Sequence, residues 1–424
     1  MKIDDPSITD SVVKRFLTYT RYWTTSDRHV EATPSTPGQW DFAKALVREL
    51  QALGVSDVEL TGYCYVIARI PATPGKEACA PVAFMAHLDT ADDVSGQDVR
   101  ASLVEAYNGK RIDLAEGYAL DPATDADLAA QEGKALIHTD GRTLLGADDK
   151  AGIAEIITAA EYLLAHPEIA HGLVELIFTP DEETGKGLPE FPMSKITATA
   201  CYTLDGGPAG EVEAECFNAC KADVRFTGKA IHLGYARGVM ANAALMAAVF
   251  ASMLPRSESP EATDGYYGYY CPMAIQGTPE KACLECYIRD FDRAGAERRV
   301  SALDHFARAV EAQFPGGQVT VSSKPQYYNM KEKIDARPEV MAILKQAVSN
   351  LGIQPRLKPI RGGTDGSRLT EMGIPTPNIF TGGRNWHSRL EWVSVPDMAT
   401  ATNVVVELIR LWALPHTSFP SGPS

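Results

Sequence analysis

Nowhere in the 424 residues is there an uninterrupted apolar segment long enough to cross a bilayer, so no helical membrane span is expected. Positive charge is in short supply. Against 55 Asp and Glu stand 40 Lys and Arg, a formal net charge of -15, which argues against nucleic acid or an acidic membrane surface as partner. The opening Met1-Lys2-Ile3-Asp4-Asp5-Pro6 carries acids and no apolar core. It does not read as a secretory signal, and a cytoplasmic location is expected. The eight cysteines are scattered, and without an export signal they are expected as reduced thiols rather than a disulfide framework. Cys283-Leu284-Glu285-Cys286 has the spacing of a metal-binding pair. It falls in Lys281 to Asp290, which reads as a strand where residues three apart face opposite sides, so a structural role is expected. The remaining composition, 45% hydrophobic and 22% charged, is that of an ordinary globular protein. The length exceeds what one core supports, and two domains are expected.

The informative content is a series of five short segments: His87-Leu88-Asp89, Asp148-Asp149, Glu182-Glu183, Asp205 and His387. Short apolar runs precede four of them, Val82 to Met85, Leu173 to Phe178, Tyr202 to Leu204 and Ile379-Phe380, and these read as buried strands. In an open α/β sheet, side chains just past the carboxyl ends of several strands converge on one crevice. The convergent set holds two imidazoles and several carboxylates but no cysteine, a donor set suited to zinc, manganese or cobalt. A paired-metal centre fits best, because two cations about 3.5–4 Å apart need one shared carboxylate and one or two private ligands each. A closed structural zinc site would need only four ligands and would favour thiolates. Taken singly, each segment is more often a solvated carboxylate or a core histidine. Their convergence is what outweighs that reading. From an extended backbone the adjacent Glu182 and Glu183 point to opposite sides, so one can hold metal while its neighbour faces substrate and moves a proton. Asp89, two residues past His87, is placed to orient or charge-tune that imidazole or the shared carboxylate, and taken alone it reads equally as a turn aspartate before Thr90.

Along the chain, Val12 to Tyr19 and Gln39 to Leu53 carry helical spacing, the second closed by Gly54. Val58 to Ile70 reads as strands around a turn at Thr61-Gly62. Residues 92–140 are irregular and too long for a simple connection, which points to a functional excursion near the site. The run Leu144 to Gly152 opens a helix with Asp148 at its entrance and an apolar stripe of Ile153, Ile156, Ile157, Ala160, Leu163 and Leu164, ending at His166-Pro167. From Cys216 a second unit reads as strand (Ala222 to Phe226), helix (Asn242 to Leu254), two strands (Tyr267 to Ile275, Ala282 to Ile288), helix (Ala296 to Phe314) and strand (Val319 to Ser322). That βαββαβ order marks a ferredoxin-like split module. The ligand-bearing pattern resumes at Pro375 to Phe380, and a helix running Thr402 to Leu411 closes the chain. The expected fold is therefore α/β, a catalytic domain with a central mixed sheet (1–215 and 326–414) interrupted by an inserted module (216–325), with a disordered tail at 415–424.

Several motifs carry a family resemblance. His87-Leu88-Asp89-Thr90, Gly146-Ala147-Asp148-Asp149-Lys150, Thr179-Pro180-Asp181-Glu182-Glu183-Thr184-Gly185, Leu204-Asp205-Gly206-Gly207 and Trp386-His387 resemble the aminoacylase and dipeptidase superfamily of di-zinc metallopeptidases. Arg289-Asp290-Phe291-Asp292-Arg293, Arg361-Gly362-Gly363-Thr364-Asp365-Gly366 and Pro377-Asn378-Ile379-Phe380-Thr381-Gly382-Gly383 resemble its tripeptide aminopeptidase branch, as do Arg15-Phe16-Leu17 and Pro34-Ser35-Thr36. The resemblance spans nearly the whole chain. It implies two zinc ions, His87 and Asp205 on one, Glu183 and His387 on the other, and Asp148 bridging. It also implies Glu182 as general base, Asp89 as the acid supporting His87, and a cis peptide after Asp148. The inserted module would be a lid, closing over short peptides and limiting their length. There His232 takes the place of a family histidine that polarises the scissile carbonyl; the family has proline next, this chain Leu233. For the substrate carboxylate the candidates are Arg289 and Arg361, with Asn242 as a polar partner. Removal of the N-terminal residue from tripeptides by metal-activated water is the expected activity. A related dipeptidase or N-acyl amino acid deacylase, and a non-catalytic metal- or peptide-binding protein, are the alternatives. Exposed edge strands of the lid could also support a homodimer.

Overall fold

The computed structural model describes residues 5–415, which form two compact units: 5–214 with 333–358 and 364–415, and 215–332 with 359–363. Apart from Pro415, the tail expected to be disordered lies outside the described residues.

The first unit is built on an eight-stranded mixed sheet. In spatial order its strands are Asp57–Leu60, Val66–Ile70, Val174–Thr179, Val82–His87, Ala200–Gly206, Asn378–Phe380, Glu211–Glu213 and Arg356–Leu357. The four central strands, from Val174–Thr179 to Asn378–Phe380, run parallel, so their carboxyl ends lie along one edge of the sheet. Residues 82–87 are buried without exception, as expected where both faces of a parallel strand are covered. Val82, Phe84 and Ala86 enter the main core, while Ala83 and Met85 enter a smaller one with Leu188, Phe191 and Leu369. Strand alternation thus feeds two cores, and each fully buried large side chain contributes about 1.5–3 kcal/mol.

On the main face the Ala147–Ala165 helix packs between Pro6–Tyr19 and Val395–Trp412. The outer two are begun by side-chain caps: Asp5 accepts from the Ser7 N–H at 2.9 Å and Ser394 from the Asp397 N–H at 3.4 Å. Gly152 lets the Ala147–Ala165 helix lie against the sheet, because a methyl there would collide with the Leu204 carbonyl oxygen. The Asp148–Asp149 peptide is cis.

Residues 92–140 are more ordered than their sequence suggests. Ser102–Val104 and Leu136–His138 join Trp392–Ser394 and Gly383–Arg384 in a four-stranded antiparallel sheet. Under it Tyr107, Leu120, Leu128, Leu136 and Trp392 form a core of their own. These strands are two or three residues long, and the pairing of Leu136–His138 with Trp392–Ser394 joins segments some 250 residues apart, so no local period announces them.

The second unit has the expected βαββαβ order. Its antiparallel sheet runs Tyr269–Gly277, Lys281–Asp290, Asn218–Thr227, Gln318–Tyr327. The helices Ala243–Met253 and Arg293–Gln313 cover one face through Phe226, Phe250, Leu284, Leu303 and Val310. Cys283 is exposed and Cys286 buried, on opposite faces of their strand, and among the described residues no two cysteines form a disulfide.

Candidate metal centre

His87, Glu182-Glu183 and Asp205 lie at or just past the carboxyl ends of central parallel strands, and Asp148-Asp149 opens the helix beside them. His387, expected to follow directly on the Ile379-Phe380 run, instead lies in the connection between the Gly383–Arg384 and Trp392–Ser394 strands of the smaller antiparallel sheet. His87 ends its strand and is 2% exposed. Its Nδ1 lies 3.1 Å from the Asp89 carbonyl oxygen, an acceptor, so in the neutral ring Nδ1 carries the proton and Nε2 offers its lone pair. Nε2 is 2.8 Å from Asp148 Oδ1 and 3.8 Å from Asp205 Oδ1. On the other side His387 Nε2 lies 3.3 Å from Asp148 Oδ2 and 3.0 Å from Glu183 Oε1, with Nδ1 3.2 Å from Asp93 Oδ2. Asp148 therefore turns one carboxylate oxygen to each histidine.

Neighbouring groups hold these side chains in place. Asp149 accepts the His87 N–H at 3.1 Å and the Gly152 N–H at 3.2 Å. Asn378 Oδ1 accepts the Asp205 N–H at 3.0 Å, while its amide donates to Glu213 at 2.7 Å. The glutamate pair departs from expectation. Residues 182–184 form a single 3-10 turn rather than an extended segment, with Asp181 at φ 61° before it. The reason is the Asp89 carboxylate, which accepts both the Glu182 N–H at 3.0 Å and the Glu183 N–H at 3.1 Å and curls the backbone around itself. Asp89 thus orients His87 mainly through its backbone carbonyl, its own Oδ1 lying 3.4 Å from Nδ1. Asp181 is held in turn by Ser35 N–H at 2.7 Å, Ser35 Oγ–H at 2.5 Å and the Gln39 amide at 2.7 Å.

Carboxylates outnumber imidazoles here, and their protonation reflects it. Burial and the neighbouring Asp148 charge push Glu183 up to about 8 and Asp205 up to about 6. Burial also drives Glu182 well above the usual carboxylate range, with Asp205 and Asp365 adding to it against His87. For Asp148 burial acts in the same direction, but the imidazoles of His387 and His87 outweigh it and hold this carboxyl low. A cluster so rich in buried negative charge is stabilised by cations. The donor set fits them. With zinc–ligand bonds of about 2.0–2.1 Å, atoms sharing a tetrahedral ion stand about 3.3 Å apart, and the contacts above run from 2.8 to 3.8 Å. Glu183 Oε1, though buried, accepts no well-formed hydrogen bond. Two groups with ion-binding spacing, His87/Asp149/Asp205 and His87/Asp148/Glu183, share His87.

The model of peptidase family M20/M25/M40 matches residues 135–411. The chain belongs to that family. Among curated relatives, Peptidase T of Geobacillus sp. (strain WCH70) is 46% identical over 405 residues, 95% of this chain and 98% of the relative. Peptidase T of Clostridium perfringens (strain SM101 / Type A) is 47% identical over 402 residues, 95% and 99% of the two chains. Among solved structures, a tripeptidase from Staphylococcus aureus superposes with a TM-score of 0.75 at 20% identity, covering 96% of this chain and 98% of that one. A dinuclear metal binding peptidase of the M20 family from Bacillus subtilis superposes with a TM-score of 0.64 at 16% identity, with coverage of 96% and 98%. At those identities the structural likeness concerns the fold. As an M20 chain the protein is a metallopeptidase, the superfamily its motifs resemble, and its mixed α/β architecture is that of the family.

Of the residues singled out from sequence, His87, Asp89, Asp148, Glu182, Glu183, Asp205 and His387 come together in the first unit. His232, Asn242, Arg289 and Arg361 belong to the second. His232 is exposed, with Nδ1 accepting the Gly234 N–H at 3.2 Å. Asn242 caps its helix through the Leu245 N–H. Arg289 lies 5.0 Å and 5.6 Å from the rings of Tyr287 and Tyr327. Arg361 directs both terminal nitrogens at its own unit, to the carbonyls of Gly265 (2.8 Å), Tyr267 (2.9 Å) and Thr263 (3.2 Å). Sequence reasoning named Asp149 and Asp181 within its motifs without giving them a role, and passed over Glu391. The first two stand beside recognised residues; for Glu391 the only local signal is its position four residues past His387.

Proposed function

We propose that the protein is a cytoplasmic, zinc-dependent aminopeptidase that removes the N-terminal residue from tripeptides. The observation that carries this reading is Asp148, one carboxylate facing two histidines, each accompanied by a further carboxylate, with Glu182 held beside them by Asp89. In this reading His87 and Asp205 hold one ion, Glu183 and His387 the other, and Asp148 both. Once bound, the two ions would supply Lewis-acid activation of water and of the scissile carbonyl. Glu182 takes the proton of the attacking water and delivers it to the departing amine nitrogen. The raised affinity of its carboxyl for a proton suits that exchange.

The remaining roles rest on the motif resemblance and on side-chain chemistry. His232 accepts at Nδ1, so its neutral ring carries the proton on Nε2, a donor suited to the carbonyl oxygen. Arg289, close to two tyrosine rings, offers a guanidinium to the terminal carboxylate, with the Asn242 amide as polar partner. Arg361, committed to three backbone carbonyls, shapes the loop 263–267 rather than meeting the substrate directly. Zinc is preferred on donor type, with manganese or cobalt as substitutes. Tripeptides are favoured because relatives at 46% and 47% identity over nearly the whole chain are named Peptidase T, and a tripeptidase shares the fold. Cysteines held as thiols rather than disulfides support a reducing compartment. The strands Tyr269–Gly277 and Gln318–Tyr327, at the edges of the second sheet, support a homodimer by strand pairing, which light scattering on the purified protein would test.

The deciding experiment is amino acid release from di-, tri- and tetrapeptides, N-acetylated peptides and N-acyl amino acids by the zinc-loaded protein. Turnover confined to tripeptides with a free amino terminus is expected. Hydrolysis of acylated substrates would move the protein to a deacylase, and cleavage of dipeptides alone to a dipeptidase.

A further inference from the structure

Glu391 is 1% exposed, and its carboxylate accepts four consecutive backbone N–H groups. Oε2 takes those of Leu145 at 2.6 Å and Gly146 at 2.9 Å; Oε1 takes those of Ala147 at 2.7 Å and Asp148 at 3.2 Å. A buried carboxylate is tolerated only when its oxygens are well supplied with donors, and here one stretch of backbone supplies them. That stretch is the turn that delivers Asp148. The same segment that carries Glu391 carries His387, and it is tied to the approach to that turn a second time. Arg389 Nη1 donates to the carbonyls of Gly141 at 3.2 Å and Arg142 at 2.7 Å. Within the segment Asn385 and His387 have φ of 55° and 56°, a left-handed backbone that the surrounding contacts must hold.

We propose that Glu391 is a positioning residue that sets His387 against Asp148, and that its carboxylate governs retention of one of the two ions, the one assigned above to Asp148, Glu183 and His387. The inference rests on the two-ion reading. It is selective because the other side has anchors of its own: Asp149 holds the His87 backbone and Asn378 that of Asp205. On the His387 side, the link between histidine and bridging aspartate runs through Glu391 and Arg389.

Glu391→Gln keeps the size and shape of the side chain while replacing one acceptor oxygen with a donor, so two of the four N–H groups lose their partner. The test is calorimetric titration of metal-free protein with zinc, paralleled by the visible absorption of added cobalt. A Leu344→Ala variant serves as a control destabilised in the core, on the Pro338–Asn350 helix and on none of the strands that carry the donors. Wild type and Leu344→Ala are expected to take up two ions. Glu391→Gln is expected to keep the first ion within about threefold of wild type and to bind the second at least about tenfold more weakly, the usual cost of losing a group that holds a ligand in place. Should Glu391→Gln fail to fold, Glu391→Asp decides by the same readouts, since the shorter side chain keeps its charge but cannot reach all four N–H groups. Uptake of two ions with wild-type affinity by the variant, or equal weakening of both, would overturn the proposal. A wild-type protein that binds only one ion would overturn the two-ion reading, and this inference with it.

Discussion

A single carboxylate decides most of the chemistry. Asp148 has one oxygen 2.8 Å from His87 and the other 3.3 Å from His387, so no conservative replacement reproduces both faces. Glu182 differs from it in having no place in the proposed ligand set. Glu182→Gln is therefore expected to lower kcat by about 10²–10⁴-fold, the usual contribution of a general base, while metal content by elemental analysis stays at wild-type level. Loss of metal in that variant would reassign Glu182 as a ligand. At this scale legibility followed position in the chain. His87 and Asp205 were readable because each terminates an apolar strand. Glu391 was not, because its partners are backbone N–H groups some 245 residues earlier and leave no trace in side-chain identity.

Between residue and domain, backbone segments set the spacing of the centre. The 3-10 turn at 182–184 exists because Asp89 collects two of its N–H groups, so a carboxylate on one strand end shapes the loop of the next. The Ala147–Ala165 helix depends on Gly152 for its approach to the Ala200–Gly206 strand, with the Leu204 carbonyl oxygen and the Asp149 carboxylate where a methyl would stand. Gly152→Ala is expected to cost about 1–3 kcal/mol in urea unfolding, since overpacking displaces backbone rather than a flexible side chain. It should also reduce activity, because the displaced helix start carries Asp148. An unchanged kcat together with the stability loss would show that the helix start tolerates the shift. The helical stripe was plain from its period, and Ile153, Ile156, Ile157, Ala160 and Leu163 are buried, whereas Leu164, counted with them from the sequence, is exposed. The short strands within 92–140 were not, since two or three residues are too few to display alternation.

Over the whole molecule, charge and metal set the conditions under which the fold persists. Arg15 reaches Glu161 and Glu49, each at 2.7 Å, and so joins three helices of the first unit. The guanidinium of Arg15 holds the Glu161 carboxyl below its ordinary 4.5, helped by Ser11 against partial burial. A carboxyl with a depressed folded-state value stabilises above its unfolded value and loses that contribution as pH falls through the folded one. Stability should therefore drop below about pH 4.5, and Glu161→Gln should flatten part of that acid limb in urea midpoints measured from about pH 6 to pH 3. A variant with the wild-type slope would show that this pair is screened. Removal of metal by a chelator should abolish peptidase activity and lower the melting temperature, with zinc restoring both. Each ion at a hundredfold excess over its dissociation constant would contribute about 2.7 kcal/mol. The sequence by itself determined the parallel strands, the order of the inserted module, the candidate donor residues and the family resemblance. These are written in apolar runs and in residues placed at their ends. Only the tertiary structure decided which oxygen of Asp148 faces which histidine, why Glu182 and Glu183 share a turn, and that Glu391 holds the turn delivering Asp148. Such contacts join segments far apart in the chain through backbone groups that every residue carries alike.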